Sequence, residues 1–280
     1  MEHYGREDAP FLLRLGFFGP HYPHYLPEPY ASLYDPAAIG EWANFDDSLE
    51  KVHEGARWLK QRWGVPDWET CAEIAAAYYG HITCIDHQIG RVLDALERLG
   101  LVEDTPVVFT ADHGDLTGAH GMLQKGGVGY DELYRIPLLV RWSGVVEAGV
   151  ECGELVELVD LMPTVVEAAG VEVPEGLNGR GLAPLLRGER PGDWRQEIFA
   201  EYLGSQHGDI ALKILRTERH KLVCSAAGPD ELFDLERDPG ELENRIGDPD
   251  YGDILRDLVG RLGRRMVESG DAVDNFPRLF

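Results

Sequence analysis

Two short strings hold the residues best suited to chemistry. Ala111-Asp112-His113-Gly114 follows the apolar run Thr105–Thr110, and Gly19-Pro20-His21-Tyr22-Pro23-His24 follows the apolar run Phe11–Phe18. Each run reads as a buried strand, and parallel α/β sheets gather ligands and catalytic groups at the carboxyl ends of their strands. Asp112 and His113 offer a hard oxygen and an imidazole, a pairing suited to a divalent cation. Gly114 lets the chain turn sharply after them. The loop that continues from Asp115 to Gly127 carries His120 and Lys125. Lys125 is one of only five lysines in the chain. An ammonium on a glycine-rich loop beside a metal site suits the grip of an anionic oxygen. Taken singly, an Asp-His-Gly after a strand is a turn with a capping Asp, and a Pro-His-x-Pro-His loop is aromatic packing. The two strings in this order, with Lys125 behind them, point to chemistry. His53, His81, His87, His207 and His220 have no partner pattern and read as structural or surface residues.

The elements that must position these groups follow from periodicity. Apolar residues recur at helical spacing from Glu69 to Leu99, with Gly100 as a natural stop, so a long helix is expected there. A second helix is expected around Leu49 to Trp63 and a third from Leu161 to Ala169, with Pro163 in its first turn. Ile136–Val140 reads as a further buried strand. Helix alternating with continuous apolar strand predicts α/β layering around a mostly parallel sheet. The Gly-, Pro- and Arg-rich stretch from Gly176 to Pro191 marks a boundary, giving residues 1–190 and 191–280 as two parts. In the second part Glu197–Ala200, Ala211–Leu215 and Lys221–Cys224 read as strands of a small antiparallel sheet, closed by a helix from Ile254 to Met266.

The bulk properties bound the classes of function. A formal net charge of −24 over 280 residues opposes binding to nucleic acid or an anionic membrane surface. Of the 26 basic residues all but five are arginine, and so acidic a surface suggests adaptation to high salt. No run reaches the roughly 18 apolar residues needed to cross a bilayer, and the first residues lack the basic-then-apolar pattern of a leader. Cys71, Cys84, Cys152 and Cys224 show no metal-ligand spacing. Cys71 and Cys84 would stand roughly 20 Å apart along one helix, too far to bond. Free, mostly buried thiols and a cytoplasmic location are the expectation.

The string from Thr110 to Lys125, Thr-Ala-Asp-His-Gly-Asp-x-x-Gly-x-His-Gly-x-x-x-Lys, resembles part of a sulfatase active site in the alkaline phosphatase superfamily. Other stretches are similar to that family in the same order: the Pro-His-x-Pro loop in Phe17–Pro27, the helix and following strand from Tyr79 to Asp112, and Tyr-Asp-Glu-Leu-Tyr-Arg-Ile-Pro-Leu from Tyr130. So are Asp-Leu-Met-Pro-Thr from Asp160 and Glu-Leu-Phe-Asp-Leu from Glu231. The resemblance implies an alkaline-phosphatase-like fold: part of the central, mostly parallel sheet flanked by helices, with the small antiparallel sheet-plus-helix unit at the carboxyl end. It implies hydrolysis of a small sulfuric ester assisted by a divalent metal, most often Ca²⁺. Asp112 and His113 would bind that metal. Lys125 and His21 would be catalytic, the first on the sulfate oxygens, the second on the sulfate or the leaving oxygen. His24 and His120 would contact the substrate.

Two parts of the family pattern are missing. No cysteine or serine begins a Cys/Ser-x-Pro/Ala-x-Arg motif, which the family converts to formylglycine; Cys224-Ser225-Ala226-Ala227-Gly228 ends in Gly where Arg is required. The Asp-Asp pair on the family's first strand, which completes the metal shell, is absent as well. Three accounts fit: a truncated gene product, which is favoured; one half of a split enzyme, completed by a separate polypeptide that supplies the amino-terminal half; or a non-catalytic metal- or sugar-binding relic. A phosphonate monoester or phosphodiester hydrolase of the same superfamily is the enzymatic alternative.

Overall fold

The computed structural model describes residues 10–48, 54–64, 66–204, 210–226 and 228–271. Helix α1 spans Glu54–Trp63 and α2 spans Trp68–Arg98. The Asp67 carboxylate caps α2 by accepting from the Thr70 N–H at 2.9 Å, and Leu99 and Gly100 close its far end. The sequence places this helix within a residue at each end. The helix predicted around Leu49 begins, among the described residues, at Glu54; positions 49–53 lie outside them.

Strand β1 (Val107–Thr110) pairs antiparallel with β2 (Leu138–Arg141), opposing Val108 to Val140 and Phe109 to Leu139. The sequence led us to expect parallel neighbours. The link between these two strands holds a 3-10 turn (Ala119–Gly121) and a four-residue helix, α3 (Asp131–Tyr134), and no crossover helix of the kind a parallel pair requires. The run Phe11–Phe18, expected as a buried strand, is neither a strand nor buried: Leu12 is 81 % exposed, and Leu13, Leu15, Phe17 and Phe18 are exposed too. A strand exists through its neighbours' backbone groups, and among the described residues none pairs with this run.

Helix α4 (Leu161–Ala168) and the short α5 (Ala183–Leu186) follow. The carboxyl-terminal sheet runs β3 (Glu197–Gly204), β4 (Ile210–Thr217), β5 (His220–Ser225) and β6 (Glu231–Asp234), each antiparallel to the next. β6 is a strand that periodicity alone does not single out. Alternation along these strands serves two cores. Ile210, Leu212, Ile214, Val223 and Phe233 face Ala56 and Leu59 of α1 together with Leu116, Met122, Val128, Tyr130 and Leu133. Leu215, Leu222, Cys224 and Leu232 face Leu258, Leu262 and Met266 of α6 (Gly252–Glu268). The first core therefore fixes the glycine-rich segment after β1 against the sheet.

All four cysteines are free thiols, as expected; Cys71 and Cys224 are buried, Cys84 is half-buried and Cys152 is exposed. Among the described residues no helix is long and apolar enough to cross a membrane.

Candidate active site

β1 ends at Thr110, whose hydroxyl donates to the Pro137 carbonyl at 2.9 Å and ties the strand end to β2. Asp112 then projects to solvent, its side chain 86 % exposed, and its Oδ1 accepts the His113 N–H at 3.1 Å. Gly114 is required for a reason other than the sharp turn the sequence suggested. A Cβ there would lie 1.8 Å from the Glu132 carbonyl oxygen, and the Gly114 N–H donates to Leu133 O at 2.9 Å. This close approach, with no positive φ, aims the Asp112-His113 pair.

The His113 ring is held in one tautomer. Its Nδ1 lies 2.8 Å from the Gly114 carbonyl, which can only accept, so Nδ1 carries the proton and Nε2 presents a lone pair. The Lys125 ammonium donates to that lone pair. His21 stands edge-on to His113 with ring centroids 6.2 Å apart, and its own Nδ1 donates to the Tyr22 carbonyl at 2.6 Å. Two imidazoles and an ammonium thus converge from the loops after Phe18 and after β1.

His24 sits deeper, edge-on to Tyr78 at 5.9 Å and to His81 at 6.2 Å. Burial holds its pKa below the ordinary value, and the Asp115 carboxylate opposes that shift. His81 is lowered by burial too. It lies directly beneath Gly19, where a Cβ would meet its ring at 2.2 Å, and Nδ1 of both His24 and His81 has no hydrogen-bond partner among the described residues. Burial raises the pKa of Asp115, countered by the Thr117 N–H and by His24, His113 and His21. Burial also pushes the Tyr78 phenol up to about 12. Asp115 and His81 belong to this cluster although the sequence reading left them out. Asp115 adjoins the Asp-His-Gly string and could have been suspected; His81 joins only through the packing of α2 on the proline-rich loop.

His120 is corrected. Expected to contact substrate, it is wholly buried: Nδ1 bonds Asp47 at 2.7 Å, Nε2 bonds the Asn44 amide at 3.1 Å, and the ring stacks on Tyr130 at 3.7 Å. Both nitrogens and one face are engaged within the protein, leaving it no route to a ligand.

A metal finds only part of a site. Asp112 and His113 give two donors, the His113 Nε2 faces a cation, and among the described residues no group of three or more His, Cys, Asp or Glu could hold an ion. A hard divalent cation takes six to eight oxygens in the case of Ca²⁺, so these residues alone do not fit one. What the cluster can do unaided is donate hydrogen bonds from the Lys125 ammonium to a tetrahedral oxyanion.

Residues 3–171 match the family described as Sulfatase, and residues 118–268 match the family described as N-sulphoglucosamine sulphohydrolase, C-terminal. The chain is 32 % identical to the multifunctional alkaline phosphatase superfamily protein PehA of Trinickia caryophylli over 91 % of its length and 55 % of that protein's. It is 33 % identical to an arylsulfatase of Clostridium perfringens over 90 % of its length and 54 % of the relative's. Among solved structures it is similar to a phosphonate monoester hydrolase from Silicibacter pomeroyi, with a TM-score of 0.80, 33 % identity, and coverage of 91 % of this chain and 56 % of that one. The chain spans about half the length of the curated relatives it matches.

Proposed function

The chain belongs to the sulfatase family of the alkaline phosphatase superfamily, and from that premise we propose that it forms part of an enzyme that hydrolyses a small sulfuric ester. The observation that carries the proposal is the convergence of Lys125, His113 and His21 beside Asp112 at the end of β1. In this reading Lys125 binds the ester's anionic oxygens, neutralising charge that grows in the transition state. His21 holds the same group or protonates the leaving oxygen through Nε2. His24 contacts the substrate on the side toward α2. Asp112 and His113 supply two ligands to a divalent cation of the kind the family generally uses, Ca²⁺ in this proposal, and further ligands come from outside the described residues. The cysteines and serines of this sequence lack the Cys/Ser-x-Pro/Ala-x-Arg setting, and in this reading the nucleophile is supplied by the part of the family's domain that lies outside the match, carried in a longer form of this chain or by a separate polypeptide. The free thiols fit a reducing compartment, and a cytoplasmic location goes with the proposal.

A phosphonate monoester is the second reading, favoured by the likeness to the Silicibacter pomeroyi hydrolase at 33 % identity. Both esters present a tetrahedral anionic centre to the same cations. The test compares turnover of an aryl sulfate, a sugar sulfate and a phenyl phosphonate monoester by this chain completed with the part of the Clostridium perfringens arylsulfatase that lies outside the match. Preference for either sulfate supports the first reading, preference for the phosphonate establishes the second, and absence of all three activities leaves the chain a binding protein.

A further inference from the structure

Resting on the reading of this site as one that grips a sulfuric ester, we propose that Tyr22, Trp63 and Arg62 form a subsite beside it that selects a sugar sulfate bearing a second anionic group. The two rings receive the pyranose that carries the ester, and the Arg62 guanidinium receives the second anion.

Two separate elements bring these residues to the side of the His21–Lys125 cluster. Tyr22 follows His21 directly in the chain. Its ring stands edge-on to His24 at 6.1 Å and to Trp63 at 6.2 Å, yet it stays 49 % exposed. Trp63 ends α1 and arrives from the side of the loop that carries Lys125. Leu59 of that helix packs against Gly126, where a Cβ would lie 2.9 Å from the leucine side chain. Trp63 lies four positions on from Leu59, one turn further along the same helix face. Its ring is 36 % exposed, and the Arg62 guanidinium lies over it, 5.4 Å from the ring centre. Arg62 is itself exposed and forms no ion pair among the described residues.

Exposed rings next to an oxyanion grip meet whatever carries the ester, and their geometry says what that is. The Tyr22 and Trp63 planes cross at 63°, so they make no parallel slot for a flat aryl group. Each ring face carries partial negative charge, which suits the C–H groups on one side of a pyranose. Packed against their neighbours, both rings offer contact area at little cost in ordering. Arg62 adds the second requirement. In a chain of net charge −24 the overall field repels anions, so a basic side chain without an ion pair marks a place where one is received. Set over Trp63, outside the trio of Lys125, His113 and His21, Arg62 meets a group other than the ester being cleaved.

Equilibrium binding to this chain tests the proposal without any turnover. Isothermal titration calorimetry compares glucose disulfate, glucose monosulfate, phenyl sulfate and inorganic sulfate in one buffer. The disulfate is expected to bind ~10-fold or more tighter than phenyl sulfate. Trp63→Ala and Tyr22→Ala each weaken both sugars by ~10-fold, about the worth of one aromatic contact, and leave inorganic sulfate as it was. Trp63→Phe, which keeps a ring in place, recovers most of that loss. Arg62→Gln weakens the disulfate by ~3-fold and spares the monosulfate. Sugars that bind no better than phenyl sulfate, or ring variants that weaken inorganic sulfate as much as the sugars, would overturn the subsite. An Arg62→Gln effect equal on both sugars would remove the second anion. Inorganic sulfate bound through Lys125 with no gain from the sugar leaves the ester reading standing and defeats this proposal alone; no binding of any of the four defeats both.

Discussion

His113 and His120 lie seven positions apart in one loop and have opposite fates. His113 is half-exposed with its Nε2 lone pair held against Lys125, whereas His120 is sealed between Asp47, Asn44 and Tyr130. Replacing His120 by Ala strands the partners of two hydrogen bonds in the interior and empties a stacking site. His120→Ala is therefore expected to lower stability by about 2–4 kcal/mol, read as a shift of the urea midpoint, and a change below experimental error would show that the bonds contribute nothing. His24 and His81 respond to pH. Burial lowers both pKa values in the folded state, so as pH falls below about 6.5 the unfolded chain takes up protons first. Their contribution is complete above that pH and shrinks below it. The thermal midpoint is expected to fall between pH 7 and pH 5.5 by less in His24→Gln than in the parent; equal slopes would remove His24 from this role.

At the scale of elements, Asp160 is the linchpin of the region between α4 and β3. It is wholly buried, accepts from Arg195 through both oxygens at 2.5 and 2.7 Å, and accepts the N–H groups of Glu157 and Arg180. Asp160→Ala leaves a buried guanidinium without its main partner, with an expected loss of about 3–5 kcal/mol; a denaturation midpoint unchanged from the parent would contradict that role. What could be read from sequence divides along the same line. Helix α2 was legible because its apolar stripe and its Gly100 stop are local signals. The Phe11–Phe18 run was not, because hydrophobicity says that a segment seeks burial and leaves open whether a neighbour is there to bury it. His21, Asp112, His113 and Lys125, which the structure brings near one another, were picked out in the sequence by residue type and order. His81 was missed because it reaches the site from a helix distant in sequence, and His120 was misread because its stack on Tyr130 depends on tertiary packing.

For the whole molecule, charge dominates. A net charge of −24 works against compaction, and salt screens that repulsion. The thermal midpoint is expected to rise steadily up to about 2 M KCl, where the screening length is only a few ångströms; a midpoint indifferent to salt would separate this composition from any adaptation to a saline interior. The same molecule offers a cationic, imidazole-rich cluster at one strand end and a half-covered sheet beside it. The most direct measurement is the turnover of 4-nitrophenyl sulfate by the chain joined to the part of the Clostridium perfringens arylsulfatase that lies outside the match, for the parent and for Lys125→Ala. The expected result is measurable hydrolysis in the parent and a fall in kcat of about 10²–10³-fold in the variant, with an unchanged thermal midpoint. Near-parental hydrolysis by Lys125→Ala, or none by the completed parent, would contradict the assignment of this cluster to sulfate-ester cleavage.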